Sequence, residues 1–152
     1  MADEGQDLAE FRSKFRVEEL LLFRNAGWSL SLRPGACTLG ACVLSANRAH
    51  RSLATLDPQE AAEMVEAVAW FEARARRTFA ADKFNYLALM MVDRHLHFHA
   101  LPRYAAERDF AGIAWRDMGW PKQPDLGADQ ADDAALAQVR AALAAEDEGR
   151  AR

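Results

Sequence analysis

His95-Leu96-His97-Phe98-His99-Ala100-Leu101-Pro102-Arg103-Tyr104 holds three of the chain's four histidines at a spacing of two inside an apolar run. In a β-strand successive side chains point to opposite faces. This spacing therefore puts all three imidazoles on one face and Leu96, Phe98 and Ala100 on the other. Each imidazole carries two polar nitrogens, and three of them on one face are costly to bury without partners. The array predicts a functional site rather than a packed core face. Imidazoles with an ordinary pKa of about 6.5 act at neutral pH as nucleophiles, as general acids or bases, or as metal ligands.

A metal reading has a real basis, because an HxH pair on a strand presents two nitrogens to zinc. His95 and His99, however, lie about 13 Å apart along an extended strand, too far to share one tetrahedral ion. Zinc would then need one HxH pair with the distant His50 or a carboxylate. Barrel hydrolases that use an HxH strand run to roughly 250 residues, and this chain has 152.

Working outward, Phe84 to Val92 and His95 to Leu101 read as two strands, and the short Asp93-Arg94 link between them predicts an antiparallel hairpin. Upstream, Asp57 caps a helix with Pro58 in its first position and Glu60 three residues after the cap. Met64, Val68, Phe71, Ala75 and Phe79 then repeat at helical spacing as a core stripe, and Arg74, Arg76 and Arg77 complement the C-terminal end of the dipole. Trp28 to Leu32 and Gly40 to Ala46 read as strands around the Arg33-Pro34-Gly35 turn signal. Residues 8–22 read as a helix with Leu8, Phe11, Phe15 and Val17 on an imperfect stripe. After Tyr104 the chain reads as irregular, and Trp115 and Trp120 predict a loop packed near the site or across a dimer. Gln130 to Ala145 reads as an Ala-rich helix with Leu136, Val139 and Leu143 on one stripe, and Glu146 to Arg152 is expected to fray.

Composition bounds the function. With 51% hydrophobic residues the chain is long enough for one domain with a real core. No apolar run approaches the ~20 residues of a membrane span, and Asp3, Glu4 and Asp7 occupy the place of a signal peptide's basic region. A cytoplasmic protein with no membrane partner is expected. The net charge of −4 argues against nucleic-acid binding. Around the histidines the charge runs the other way: Arg94, Arg103 and Arg108, with Arg33 nearby, face only Asp93 and Glu107, which suits a small phosphorylated ligand. Cys37 and Cys42 read as buried free thiols.

The run from His95 to Tyr104 resembles the signature of the histidine triad (HIT) family, in which three histidines alternate with apolar residues and further apolar residues follow. The likeness extends to Trp28 through Pro34, Thr38-Leu39-Gly40 with Val43-Leu44, Asn85 through Asp93, Phe110-Ala111-Gly112, Gly119-Trp120-Pro121 and Pro124-Asp125-Leu126. It covers residues 9–127 as a HIT-like domain and leaves residues 128–152 as a C-terminal helical extension. The resemblance implies an α+β fold: an antiparallel five-stranded sheet with a long helix, flanked by N- and C-terminal helices and paired as a homodimer.

It also implies a mechanism. An imidazole that attacks phosphorus forms a phosphoramidate and splits one hard displacement into two easier ones. Flanking histidines hold the anionic oxygens and protonate the leaving group. By position the nucleophile is His97, and His95 and His99 are its supporting catalytic residues. Ser31 matches a position that contacts the ribose in relatives. Asn85, Arg94 and Arg103 are further nucleotide-binding candidates. No metal site and no cofactor are implied, beyond Mg accompanying the substrate phosphates. The small bacterial branch that the chain resembles hydrolyses dinucleoside polyphosphates such as diadenosine tetraphosphate, and a short linker predicts an open site. A nucleoside phosphoramidase, a nucleotidylyltransferase and a nucleotide-binding module with little turnover are the alternatives. Two departures stand out: Gly40-Ala41 occupies the place of a fourth family histidine, and Val92-Asp93-Arg94 replaces a polar phosphate-contacting segment.

Overall fold

The computed structural model describes residues 3–145. Its elements run α1 (Glu4–Lys14), β1 (Leu21–Arg24), β2 (Trp28–Leu32), β3 (Cys42–Ala46), a 3-10 turn (Leu53–Thr55), α2 (Pro58–Phe79), β4 (Lys83–Leu87), β5 (His97–Arg103), β6 (Arg108–Phe110), β7 (Ile113–Trp115) and α3 (Asp133–Ala144). The first five strands form one antiparallel sheet in the order β1-β2-β3-β5-β4, and β6 and β7 form a separate hairpin. This is the expected α+β architecture.

Register divides the sheet into two chemically different faces. Leu30, Leu44 and Phe98 stand opposite one another across β2, β3 and β5, as do Leu32, Cys42 and Ala100. These residues make the apolar face, which α2 covers with buried Ala67, Phe71, Ala75 and Phe79. Each fully buried large side chain contributes about 1.5–3 kcal/mol. On the other face, Ser31 and Val43 share a row with His99, and Ser29 and Ser45 share a row with His97. Gly40 sits in the turn before β3 at φ +82, a left-handed conformation that a side chain would strain.

The capping box on α2 forms as its sequence predicts. The Glu60 N–H donates to the Asp57 carboxylate at 2.8 Å, and the Glu60 carboxylate accepts from the Asp57 N–H at 3.1 Å. Trp28 Nε1–H donates to the Glu60 carbonyl at 2.8 Å and ties the helix to the sheet. At the other end Arg108 donates to the carbonyls of Phe79 and Ala80, as a cation suits a helix C-terminus.

Four expectations about the elements are corrected. The helix expected over residues 8–22 ends at Lys14. Arg16 adopts a left-handed φ of 52, its N–H donates to Ser13 and that of Val17 to Arg12, a Schellman stop sealed by the contact of Val17 with Phe11. Leu21 and Leu22 are thereby released to start β1. Second, the hairpin that carries the histidines has no two-residue link: β4 ends at Leu87 and β5 begins at His97. Leu96 turns away from β4, donating its N–H to the His50 carbonyl and accepting from the Ala46 N–H, so the intervening segment lacks a strand partner. Third, the segment after Tyr104 contains the β6–β7 hairpin. Its turn residues Ala111 and Gly112 both have positive φ, as a two-residue turn of this hand needs, and Trp115 is buried in the core. Fourth, the C-terminal helix begins at Asp133, capped by Asp132.

Leu136, Val139 and Leu143 of α3 join the same core cluster as α2. The end expected to fray, Glu146 to Arg152, lies outside the described residues. Cys37 and Cys42 are buried free thiols, as expected. Among the described residues no helix is long and apolar enough to cross a membrane.

Candidate active site

The three imidazoles keep the alternation that their spacing predicts, although only His97 and His99 lie within β5 and His95 stands two residues before it. They occupy the face opposite Leu96 and Ala100, which belong to the main core. All three are buried, with exposures of 1% for His95, 1% for His97 and 7% for His99.

Their cover is α1. The Phe11 ring lies 5.3 Å from His95 and 4.7 Å from His97, and the Phe15 ring 5.9 Å from His97 and 6.2 Å from His99, centroid to centroid. Asp7 of α1 pairs with Arg51 at 2.6 Å, and Lys14 pairs with Asp93 at 2.7 Å. The site is therefore roofed rather than open. The site meets solvent on the side of residues 89–93, within the segment that joins β4 to β5. There a cleft of about 290 Å³ is lined by Leu89, Met91, Val92, Asp93, His97 and His99. A second groove, of about 380 Å³, shares Val92 and Asp93 with it and runs past Lys14 and Arg94.

Each imidazole is held by one ring nitrogen, and the partner sets the proton. His97 Nδ1–H donates to the His95 carbonyl at 2.6 Å, which leaves the lone pair on Nε2 at the outer end of the ring. His95 Nε2–H donates to the Ala46 carbonyl at 2.8 Å. His99 Nδ1 accepts from Arg33 Nε–H at 3.2 Å, so the proton of a neutral His99 sits on Nε2. Burial pushes the pKa of all three below the ordinary value. His95 and His99 fall to about 4, with the Arg33 charge adding to the effect on His99. At neutral pH the row is uncharged, and His97 carries a free lone pair.

The remaining sequence candidates scatter. Arg94 lines the second groove and is exposed. Ser31 lies in the His99 row two strands away, fully buried, its hydroxyl bonded to no protein atom. Arg103 is 3% exposed and forms a bidentate pair with Asp117 at 2.6 and 3.0 Å. Its third nitrogen donates to Asn85 Oδ1 at 2.6 Å. Asn85, itself half-buried, and Arg103 thus belong to one polar cluster that does not line the cleft. Of the arginines expected around the histidines, only Arg33 touches one. His50, the distant ligand of the zinc reading, is instead bonded to Thr55 at 2.8 Å and Glu60 at 2.9 Å. Among the described residues no three His, Cys, Asp or Glu side chains are grouped to hold an ion. Sequence reasoning gave no site role to Phe11, Phe15, Lys14 or Asp117. The spacing of Phe11 and Phe15 marks one helix face, but nothing in it says which surface that face covers.

No protein-family model and no curated protein matches the chain. Solved structures do match it, and all three described next are histidine triad proteins. One from Sulfolobus tokodaii, described as a hypothetical histidine triad nucleotide-binding protein, superposes with a TM-score of 0.66 at 13% identity over 91% of this chain and 88% of its own. A histidine triad protein from Sinorhizobium meliloti gives a TM-score of 0.61 at 20% identity, covering 84% of this chain and 90% of its own. One from Marinobacter aquaeolei gives 0.58 at 23% identity, over 84% and 89%. The chain therefore has the histidine triad fold.

Proposed function

We propose that this chain is a histidine triad enzyme that acts at the α-phosphate of nucleotides through a covalent nucleotidyl-histidine on His97, hydrolysing dinucleoside polyphosphates such as diadenosine tetraphosphate. The observation that carries the reading is the 2.6 Å hydrogen bond from His97 Nδ1 to the His95 carbonyl, which fixes the ring with its Nε2 lone pair free in a residue lining the cleft. The Nε2 lone pair forms the N–P bond as the P–O bond to the leaving group breaks, and the departing oxygen takes the electron pair. The resulting imidazolium keeps its Nδ1–H on the His95 carbonyl. Water then attacks phosphorus, the N–P electron pair returns to Nε2, and the nucleotide leaves with a proton released to solvent. His99 turns an N–H toward the anionic oxygens, and His95 serves through its backbone carbonyl.

The substrate enters past Leu89, Met91 and Val92, whose exposed apolar side chains offer a surface for a base. A homodimer is part of the same reading, with β4, one of the two edge strands of the sheet, as its meeting line. The test is cleavage of diadenosine tetraphosphate, with and without EDTA, by the wild type and His97→Ala, with products followed by chromatography. Turnover that survives EDTA and disappears in the variant is expected. Equal turnover by the two proteins overturns the reading, and nucleotide binding without turnover favours a binding module.

A further inference from the structure

We infer that Arg33 is a positioning residue that denies this site a general acid, so that its substrates are those whose leaving group departs as a stable anion. This rests on the nucleotidyl-transfer reading above and narrows its substrate class to phosphoanhydrides, away from phosphoramidates and alkyl phosphate esters.

A guanidinium has donors only, so the Arg33 Nε–H at 3.2 Å must be met by the Nδ1 lone pair of His99. The same guanidinium donates to the carbonyls of Gly35 and Leu126, the latter at 3.1 Å, which holds it on the ring from two further directions. His99 consequently has one proton, on Nε2, and no second one to replace it. It donates a hydrogen bond to a phosphoryl oxygen, but transfer of that proton to a leaving group would leave an imidazolate. The other protons near phosphorus are also committed: His97 Nδ1–H to the His95 carbonyl and His95 Nε2–H to that of Ala46. Among the described residues that line the cleft, Asp93 is the remaining titratable one, and it is paired with the Lys14 ammonium at 2.7 Å. A phosphate or polyphosphate needs no proton as its P–O bond breaks. An amine or alkoxide does, and a positioned acid supplies about 10²–10⁴-fold for such groups.

The test compares diadenosine tetraphosphate, the p-nitrophenyl ester of AMP and adenosine 5′-phosphoramidate as substrates of wild type, Arg33→Met and Arg33→Lys. In parallel, ring ¹⁵N shifts read the tautomer of His99 in the free protein. For the wild type we expect Nε2–H on His99 and cleavage of the anhydride and the aryl ester about 10²-fold or more faster than the phosphoramidate. Arg33→Met frees Nδ1 to accept a second proton and is expected to narrow that ratio about tenfold, with Arg33→Lys in between. Wild-type cleavage of the phosphoramidate at parity, or Nδ1–H on wild-type His99, overturns the inference. Turnover that survives His97→Ala overturns the underlying reading instead, and the ring shifts, which need no substrate, report on the Arg33 contact independently of it.

Discussion

The Phe11 ring of α1 stands 4.7 Å from the imidazole of His97, so the residue with the free lone pair lies beneath an aromatic roof contributed by the first helix. That contact joins stability to chemistry. Phe11, Phe15, Val17 and Val43 form a small cluster of their own on the histidine face, separate from the main core.

Phe11→Ala should therefore cost about 3 kcal/mol of stability, the range for a buried phenylalanine, since Phe11 is 2% exposed. It should also let water reach His97. The ring now held below the ordinary histidine range by burial should titrate closer to about 6.5 in the variant. Urea unfolding reads the first effect and a histidine NMR titration the second. An unchanged titration would mean that the sheet, and not the helix, dries the ring.

Acid should weaken the fold through the triad before it reaches the carboxylates. His95 and His99 have folded pKa values of about 4, against about 6.5 when unfolded. Above pH 6.5 both states hold neutral imidazoles and this contribution is fully present. As the pH falls from about 6.5 to about 4, the unfolded chain takes up protons that the folded triad refuses, and stability drops by an amount of order 3 kcal/mol per histidine. Urea midpoints at pH 7.5, 6 and 5 should fall in that order. Replacing His95 and His99 together by Asn should flatten the slope; a slope that survives would assign it elsewhere.

Arg103 shows where the sequence reading stopped. Its place beside the triad marked it for phosphate, yet its side chain is 3% and that of Asp117 1% exposed, with Asn85 and the Lys122 carbonyl completing the cluster. Asp117→Ala should destabilise by about 3–5 kcal/mol, because it leaves a buried guanidinium without its carboxylate. Turnover per folded molecule should hold, whereas a ligand-binding Arg103 would show a raised KM in the variant at full stability.

The placement of the three histidines on one face was legible because a period of two fixes the faces of a strand whatever the neighbours are, and the Asp57 cap because its partners lie three residues apart. Arg33 meeting His99 across 66 positions, Phe11 roofing His97 and Asp117 taking Arg103 depend on how distant segments pack, which local spacing does not encode. The stop of α1 was hidden for another reason: Arg16, a residue rarely left-handed, fills the place usually held by glycine.

Glu60 connects the long helix to the site and should prove far more costly to remove than its capping partner. Asp57→Ala loses one cap and should cost about 1 kcal/mol. Glu60 accepts from the Asp57 N–H, from Arg48 at 2.8 and 3.1 Å, and is bonded to His50 at 2.9 Å; those contacts outweigh its burial and hold its carboxyl below the usual range. The His50 carbonyl in turn accepts the Leu96 N–H at 2.8 Å, just before the strand that carries His97. Glu60→Ala strips a buried histidine of its carboxylate partner as well as uncapping the helix, and should cost about 3 kcal/mol. It should also lower kcat for diadenosine tetraphosphate at a temperature where the variant remains folded, since the backbone that presents His95 and Leu96 loses its anchor. Equal losses of stability for the two variants, measured by urea unfolding, would show that Glu60 acts as a helix cap alone.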